Sequence, residues 1–273
     1  MPETIHSLDS KLNLLLHWLT NAKRVLVAYS GGVDSSLLLY AATKTLGPEA
    51  LGILAVSPSL PEAEHQQAVE LAKAIGARLE QIQTKETHDP KYQANAVNRC
   101  FHCKDHVYGA LRLYANEHHY EHVIDGMNLE DTLDLRPGRA AAKLHGIQSP
   151  LHEIGFSKAD VRAAAKKLGL SNWNKPAAAC LASRIPYGTT VTPKLLSQIE
   201  RAEMAVLALG FHELRVRHHG DVARLEVPEK CFPDVLIKRE ELLQALKTVG
   251  YTYIALDLEG LRHGSMNEVM TAR

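Results

Sequence analysis

Residues 25–36, Val-Leu-Val-Ala-Tyr-Ser-Gly-Gly-Val-Asp-Ser-Ser, constrain this chain more than any other segment. Val25–Tyr29 is an apolar run with the length of a buried parallel strand. Ser30-Gly31-Gly32 then reads as a turn, and Ser35–Leu46 as a helix stopped by Gly47-Pro48. A strand, a glycine turn and a helix start, in that order, build an anion site. Glycines let the backbone approach a ligand with its N–H groups turned inward. The following helix adds its positive end. Ser30, Ser35 and Ser36 add hydroxyl donors. Asp34 would repel phosphate unless it holds a cation, which makes it the expected magnesium ligand. The plain alternative is a tight strand-to-helix turn capped by a serine. No Gly-Lys-Ser/Thr follows, so the loop is not a Walker motif.

The pattern around this loop repeats. Residues 7–20 carry apolar spacing at Leu8, Leu12, Leu15, Leu16 and Leu19, as in an amphipathic helix. Leu51–Val56 reads as a second strand, Pro61–Ile75 as a helix with Pro at its start and Gly76 after its end, and Arg78–Gln83 as a third strand. A helix is expected at about 98–119, and a fourth strand at Val123–Asp125. Ser157-Lys158-Ala159-Asp160 resembles a capping box opening a helix that ends at Gly169. Alternating elements of these lengths predict a doubly wound α/β parallel sheet. The loop 171–191 is rich in Ala, Ser, Pro and Gly and marks the boundary. The expected domains are 1–185, carrying the phosphate loop, and 186–273, a smaller α+β unit. The latter reads as helix 193–209, strand 214–218, strand 222–227, helix 229–248 and strand 251–257.

Ser-Gly-Gly-x-Asp-Ser, in its strand–helix context, resembles the PP-loop of N-type ATP pyrophosphatases, with the adenine nucleotide alpha hydrolase-like fold. In that superfamily ATP is cut between its α and β phosphates to adenylate a carboxylate or carbonyl oxygen. A nucleophile then displaces AMP. The resemblance places adenine at the end of the second strand, Ala55-Val56-Ser57. The chemistry is consistent, because a carboxylate has only oxide to expel until AMP becomes its leaving group. Magnesium and N–H donors stabilise the departing pyrophosphate.

Composition removes several other classes. Basic and acidic residues number 31 each, so the net charge is zero. A dedicated nucleic-acid binder usually shows a basic excess. No run of 18 apolar residues exists, and no secretory signal is visible, so the expected location is the cytoplasm without a membrane span. Fifteen histidines include no His-Glu-x-x-His motif. The four cysteines are more informative. Cys100 and Cys103 form a Cys-x-x-Cys pair at an expected helix start, a position that favours thiolates. Cys180 lies far along the chain among small residues. Three thiolates can hold three irons of a 4Fe-4S cluster, leaving the fourth open to sulfide; four cysteines are the usual set. The competitors are zinc with His102 or water, a thioredoxin-like pair, or three unrelated thiols. Cys231 reads as a semi-buried structural cysteine.

In combination these features resemble the LarE family, PP-loop sulfur transferases that help make the nickel-pincer nucleotide cofactor. The resemblance runs through Ala28–Ser35, Asp125-Gly126-Met127-Asn128, Asp134–Gly138, Asn172–Pro176, Ser183-Arg184-Ile185-Pro186-Tyr187-Gly188-Thr189 and Leu214-Arg215-Val216-Arg217. It implies conversion of carboxylates of pyridinium-3,5-biscarboxylic acid mononucleotide to thiocarboxylates. Some members sacrifice one cysteine in the 180 loop. Others carry three cysteines and a 4Fe-4S cluster, and Cys100, Cys103 and Cys180 match that branch. The resemblance also implies a sulfide or other sulfur donor, and a homo-oligomer built of dimers, up to a hexamer. Arg215 and Arg217 alternate on an expected strand and so share a face. Their guanidinium forks suit a phosphate, and the family places its substrate-phosphate arginines there; a solvated strand face is the alternative. Ser183 and Arg184 are expected at phosphate or acyl-adenylate. Gly126, Asn128, Asp131 and Arg136 follow the fourth strand, where open sheets bind ligands. Glu203, Glu226 and Asp234 read as surface carboxylates, with a metal or subunit contact as the lesser alternative. The rival functions are a PP-loop tRNA thiolase, an amide-forming ligase of the NAD or GMP synthetase type, and a non-enzymatic metal sensor.

Overall fold

The computed structural model describes residues 7–132, 138–176, 179–262 and 264–268. Contacts divide the chain into two units. The first takes Met1–Ser57, Glu62–Glu86 and Asn98–Ala178; the second takes Pro58–Pro61, Thr87–Val97 and Ala179–Arg273. The second unit thus starts ahead of residue 186 and draws in two short segments from earlier in the chain. Hydrogen bonds explain why. Leu181 N–H donates to the Ser59 carbonyl at 2.9 Å, and Asn95 Nδ2 donates to the Pro186 carbonyl at 2.8 Å.

In the first unit, α1 (Leu8–Ala22) is capped by the Ser7 hydroxyl and buries Leu15 and Leu19. β1 (Val25–Tyr29) follows. Its Val25, Leu26 and Val27 are fully buried, as a parallel strand covered on both faces requires. Next come α2 (Val33–Leu46), β2 (Ala50–Val56), α3 (Glu62–Ile75) and β3 (Arg78–Gln83). The single turn α4 (Pro90–Gln93) belongs to the second unit. The first unit resumes with α5 (Arg99–Glu117), β4 (His122–Ile124), α6 (Gly138–Leu144), α7 (Pro150–Ile154) and α8 (Lys158–Lys167). The capping box at Ser157 and Asp160 is present. The sequence pattern missed α6 and α7, which are too short to show a period. β4 ends one residue earlier than expected. Asp125 lies past its end, where its carboxylate accepts from Tyr108 and Ser149 hydroxyls, each at 2.7 Å.

The four strands are parallel in the order β3-β2-β1-β4. The chain steps outward from β1 to β3 and then returns to the other side of β1. Strand order therefore reverses between β1 and β4, and open α/β sheets bind ligands beyond the carboxyl ends of the strands at such a point. The Ser30–Gly32 turn and the Asp125–Asn128 segment leave the sheet side by side there.

In the second unit, α9 (Pro193–Ala208) is capped by Thr192. β5 (Arg215–His219) and β6 (Val222–Glu226) form an antiparallel hairpin turned at Gly220 (φ +64°). α10 (Phe232–Ile237) and α11 (Arg239–Val249) lead to β7 (Tyr253–Leu256), which joins β6 in parallel. Val206, Val216, Leu225, Leu242 and Leu246 centre its core, and Cys231 packs against it. The single helix expected over 229–248 is instead a turn and two helices. Lys238 breaks it, leaving helical dihedrals (ψ 18°) with its ammonium on the Leu209 carbonyl at 2.6 Å.

Gly126 shows how tightly β4 returns against α2. An added Cβ there would stand 2.7 Å from Ser35 N and 2.9 Å from the Asp34 carbonyl carbon, both backbone atoms of the helix start. Gly126→Ala is expected to lower unfolding free energy by about 1–3 kcal/mol, read as a lower urea midpoint at unchanged slope. An unchanged midpoint would refute the close packing.

Candidate active site

The N-terminus of α2 is built without a side-chain cap. Its N-cap is Gly32, which brings no side-chain oxygen to cap the first turn. The turn is braced by its own serines. Ser35 Oγ accepts from Ser30 N–H at 3.2 Å and donates to the Gly32 carbonyl at 3.1 Å; Ser30 Oγ lies 3.1 Å from Ser35 Oγ. Gly31 has φ +74°, and a Cβ there would meet the Ala68 Cβ at 2.6 Å. Glycine is thus required twice over, for its dihedral and for contact with α3. The Tyr29 hydroxyl donates to the Ala68 carbonyl at 2.9 Å, and burial pushes its phenol up to about 12. Ser36 is fully buried. Its hydroxyl receives Asn172 Nδ2 at 3.1 Å, so it supports the turn from beneath.

Asp34 sits in the first turn of α2. Burial lifts its carboxyl above the usual carboxylate range, opposed by a hydrogen bond from Asn128 and reinforced by the charge of Asp131. Asn128 Nδ2 donates to Asp34 Oδ1 at 2.8 Å, while Asn128 Oδ1 accepts the Glu130 and Asp131 N–H groups at 3.1 and 3.3 Å. Two carboxylates that oppose each other's ionisation suit a divalent cation. Ala55 and Ser57 lie at the carboxyl end of β2. Tyr29 pairs with Leu54, so Ser30 leaves the sheet beside Ala55, which stays paired with Ile82 of β3. Arg136 lies outside the described residues.

Cys100 lies in the first turn of α5 and Cys103 at the start of its second, three residues apart and so on one face, Cys100 exposed and Cys103 half-buried. Cys180 is half-buried and belongs to the second unit. All four cysteines are thiols. Among the described residues no group of three His, Cys, Asp or Glu side chains is arranged to hold a metal ion.

In the second unit the arginines differ in what they touch. Arg184 is only 3% exposed and forks onto Glu203, Nε to Oε1 and Nη2 to Oε2, each at 3.0 Å. Its Nη1 donates to the Ala179 and Cys180 carbonyls at 2.6 and 3.0 Å and to Ser183 Oγ at 3.1 Å. Arg217 donates to Glu226 Oε2 at 2.7 Å and to the Ser183 carbonyl at 3.2 Å, while its Nε is buried without an acceptor among the described residues. Half-buried Arg215 donates to the Leu214 carbonyl at 2.6 Å. Burial, together with the charge of Arg184, presses its pKa below the usual guanidinium value. Glu226 is fully buried, also accepting from Arg224 and Ser265 at 3.2 and 2.8 Å. Glu203 and Glu226 are therefore not the surface carboxylates the sequence suggested; they neutralise arginines. Asp234 is exposed.

A family model described as NAD synthase matches residues 10–109, the stretch that carries the loop. An uncharacterized protein of Synechocystis sp. is 42% identical over 266 residues, 97% of this chain and 99% of that one. The pyridinium-3,5-bisthiocarboxylic acid mononucleotide synthase of Lactiplantibacillus plantarum is 37% identical over 266 residues, 97% of this chain and 96% of its own. An uncharacterized protein of Methanocaldococcus jannaschii is 27% identical over 87% of this chain and 90% of its own. The chain belongs to the LarE family. It is an ATP-dependent sulfur transferase of the PP-loop superfamily. No helix among the described residues is long and apolar enough to cross a membrane.

For this LarE-family chain, sequence reasoning passed over the role of Asn172. Its Nδ2 donates to the Gly31 carbonyl as well as to Ser36 Oγ, each at 3.1 Å. A peptide's C=O and N–H point opposite ways. Holding the Gly31 carbonyl back therefore turns the Gly32 N–H to the opposite side, where it donates to Ser30 Oγ at 3.4 Å. Asn172 also lines a cavity of about 470 Å³ with Gly31, Gln67, Glu70 and Lys175. Only its place in the Asn-Trp-Asn-Lys-Pro segment marked it in sequence. Asn172→Ala is expected to raise the KM for ATP about tenfold, the loss of a buried hydrogen bond; an unchanged KM would refute the peptide-orienting role.

Asp34 yields a test by pH. Its native pKa is raised above the unfolded value, so the stability it contributes is complete below the ordinary carboxylate pKa and lost as pH rises through the native one. Asp34→Asn removes that loss. Without magnesium the variant should be more stable than the parent at neutral pH, with the gain vanishing below about pH 4. Urea titrations across pH would show it, and a variant destabilised at neutral pH would contradict it.

Proposed function

We propose that this chain adenylates carboxylates of pyridinium-3,5-biscarboxylic acid mononucleotide with ATP and converts them to thiocarboxylates for nickel-pincer nucleotide synthesis. The observation that carries the reading is the end-to-end similarity to a pyridinium-3,5-bisthiocarboxylic acid mononucleotide synthase. Ser30, Gly31, Gly32, Ser35 and the open first turn of α2 would receive the pyrophosphate, with Ser36 bracing them. Asp34 would hold magnesium. Ala55 and Ser57 would border adenine, with Gly126, Asn128 and Arg136 at the switch point. The substrate carboxylate oxygen attacks the α phosphorus, the bond to the β-phosphate bridging oxygen breaks, and pyrophosphate leaves. Sulfur then attacks the acyl carbon, and AMP departs with the C–O bond electrons.

Arg215 and Arg217 would take the substrate phosphate. The buried Nε of Arg217 without an acceptor supports this, as does the partial burial of Arg215. Cys100, Cys103 and Cys180 would hold a 4Fe-4S cluster through three irons, which when bound supplies sulfide as the nucleophile. A zinc site on the same thiols, or Cys180 as its own sulfur donor, are the outcomes that displace this assignment. The reading extends to a dimer-based homo-oligomer in the cytoplasm. The match to NAD synthase covers the ATP half alone, so it supports activation and leaves the nucleophile open.

Incubation with ATP, magnesium, the pyridinium mononucleotide and sulfide is expected to release AMP and pyrophosphate and to add the mass of sulfur replacing oxygen. Amide formation with ammonia, or activity on tRNA alone, would overturn the reading. Cys180→Ser should keep pyrophosphate release and abolish sulfur transfer. Arg215→Ala should raise the KM for the mononucleotide about tenfold or more. Anaerobic purification with iron, sulfide and zinc analysis, then the mass of the Cys180 peptide after turnover, decides the sulfur source.

A further inference from the structure

Cys180 begins a short helical turn, Leu181–Arg184, whose backbone is held from several sides. Leu181 N–H reaches the Ser59 carbonyl at 2.9 Å. Asn95, fully buried with φ +50°, donates to the Ile185 and Pro186 carbonyls at 3.3 and 2.8 Å, and its own carbonyl accepts Gly188 N–H at 3.1 Å. The guanidinium of Arg184 adds the connection that matters most. One edge touches the carbonyls of Ala179 and Cys180, and the other forks onto Glu203.

Glu203 lies on α9 and does a second thing. Its Oε1 accepts the Val216 N–H at 3.0 Å. Among the described residues β5 is an edge strand, so that N–H has no strand partner on its outer side. Val216 stands between Arg215 and Arg217. The carboxylate therefore ties the strand carrying both arginines to the guanidinium that grips the Cys180 backbone. Arg217 adds a parallel tie through its bond to the Ser183 carbonyl. Lysine could not replace Arg184, because a single ammonium lacks the planar fork needed to reach carboxylate and carbonyls at once.

We propose that Arg184 and Glu203 are positioning residues, a strut that fixes the Cys180 backbone against the arginine strand and so sets the separation between the thiol and the substrate phosphate. The strut rests on the function proposed above for its catalytic meaning, though not for its existence. Arg184 thereby acts through Cys180 and β5 rather than on the acyl-adenylate. Glu203, with both oxygens engaged, serves as the joint.

The test uses the full chain with Glu203→Gln, Arg184→Lys and the double variant. Cys180 alkylation by iodoacetamide is followed by peptide mass, without substrate. Alkylation at Cys180 is expected to rise severalfold in each variant while Cys100 and Cys103 keep the parent rates. In turnover, kcat for sulfur transfer should fall about tenfold or more, the KM for ATP should stay within about twofold, and the double variant should be no worse than either single, since coupled residues are not additive. Folded variants with parental alkylation and parental kcat overturn the proposal. So does a change confined to the KM for ATP. Altered alkylation in a chain that does not act on the pyridinium mononucleotide would sink the proposed function and leave the strut standing. Should the variants fail to fold, hydrogen exchange at the Val216 amide of the parent chain decides. Slow exchange supports the strut, and exchange as fast as an open edge amide overturns it.

Discussion

α2 begins without a side-chain cap, and much of the first unit is arranged around keeping that helix start open and rigid together. An uncapped turn left to itself would fray. Here its own serines brace it, and contacts from elsewhere in the unit reinforce it. Ala68 packs against Gly31, Asn172 holds the Gly31 carbonyl, Gly126 lies against the first turn, and Asn128 holds Asp34. These contacts hold the turn without any ligand, and dipoles fixed in advance are the ones that stabilise developing charge most effectively.

The second unit solves a different electrostatic problem. Burying guanidinium groups is unfavourable unless each meets a carboxylate and satisfies its donors. Glu203 and Glu226 supply the carboxylates for Arg184 and Arg217, with Arg217 Nε left unsatisfied, while Arg215 stays less neutralised. The overall balance of 31 basic and 31 acidic residues conceals this local arrangement. A net charge of zero argues against an extended nucleic-acid surface, but it says nothing about a pocket-sized excess of positive charge.

The parts legible in sequence are those where one physical signal dominates. Val25–Tyr29 was readable because a strand buried on both faces must be apolar at every position. The glycine turn was readable because its conformation admits little else. The 229–248 segment misled, since its apolar spacing continues through Lys238, and the break there depends on a lysine reaching a carbonyl from distant sequence. Arg184 and Arg215 look alike as letters. Their difference lies in Glu203, nineteen and twelve residues from them in the chain, which no local pattern announces. Asn95 was silent, and Asn172 was marked only by its segment and not by its role, for the same reason: their amides act on backbone groups roughly ninety and one hundred and forty residues away.

On the proposed reaction, stiffness around Cys180 follows from competition with water. An acyl-adenylate that meets water returns the original carboxylate, with ATP consumed and no sulfur gained. Bulk water is far more concentrated than any sulfide donor, so the sulfur must gain by placement, through the large effective concentrations that fixed geometry provides. A cysteine ligand on a mobile loop would forfeit that advantage for the sulfur it helps to hold. A cysteine whose own carbonyl is gripped by an arginine, itself forked to the carboxylate that anchors the arginine strand, retains it. The same chain of contacts that holds Cys180 also holds the strand expected to grip the substrate, so error in one is shared by the other and their separation is preserved.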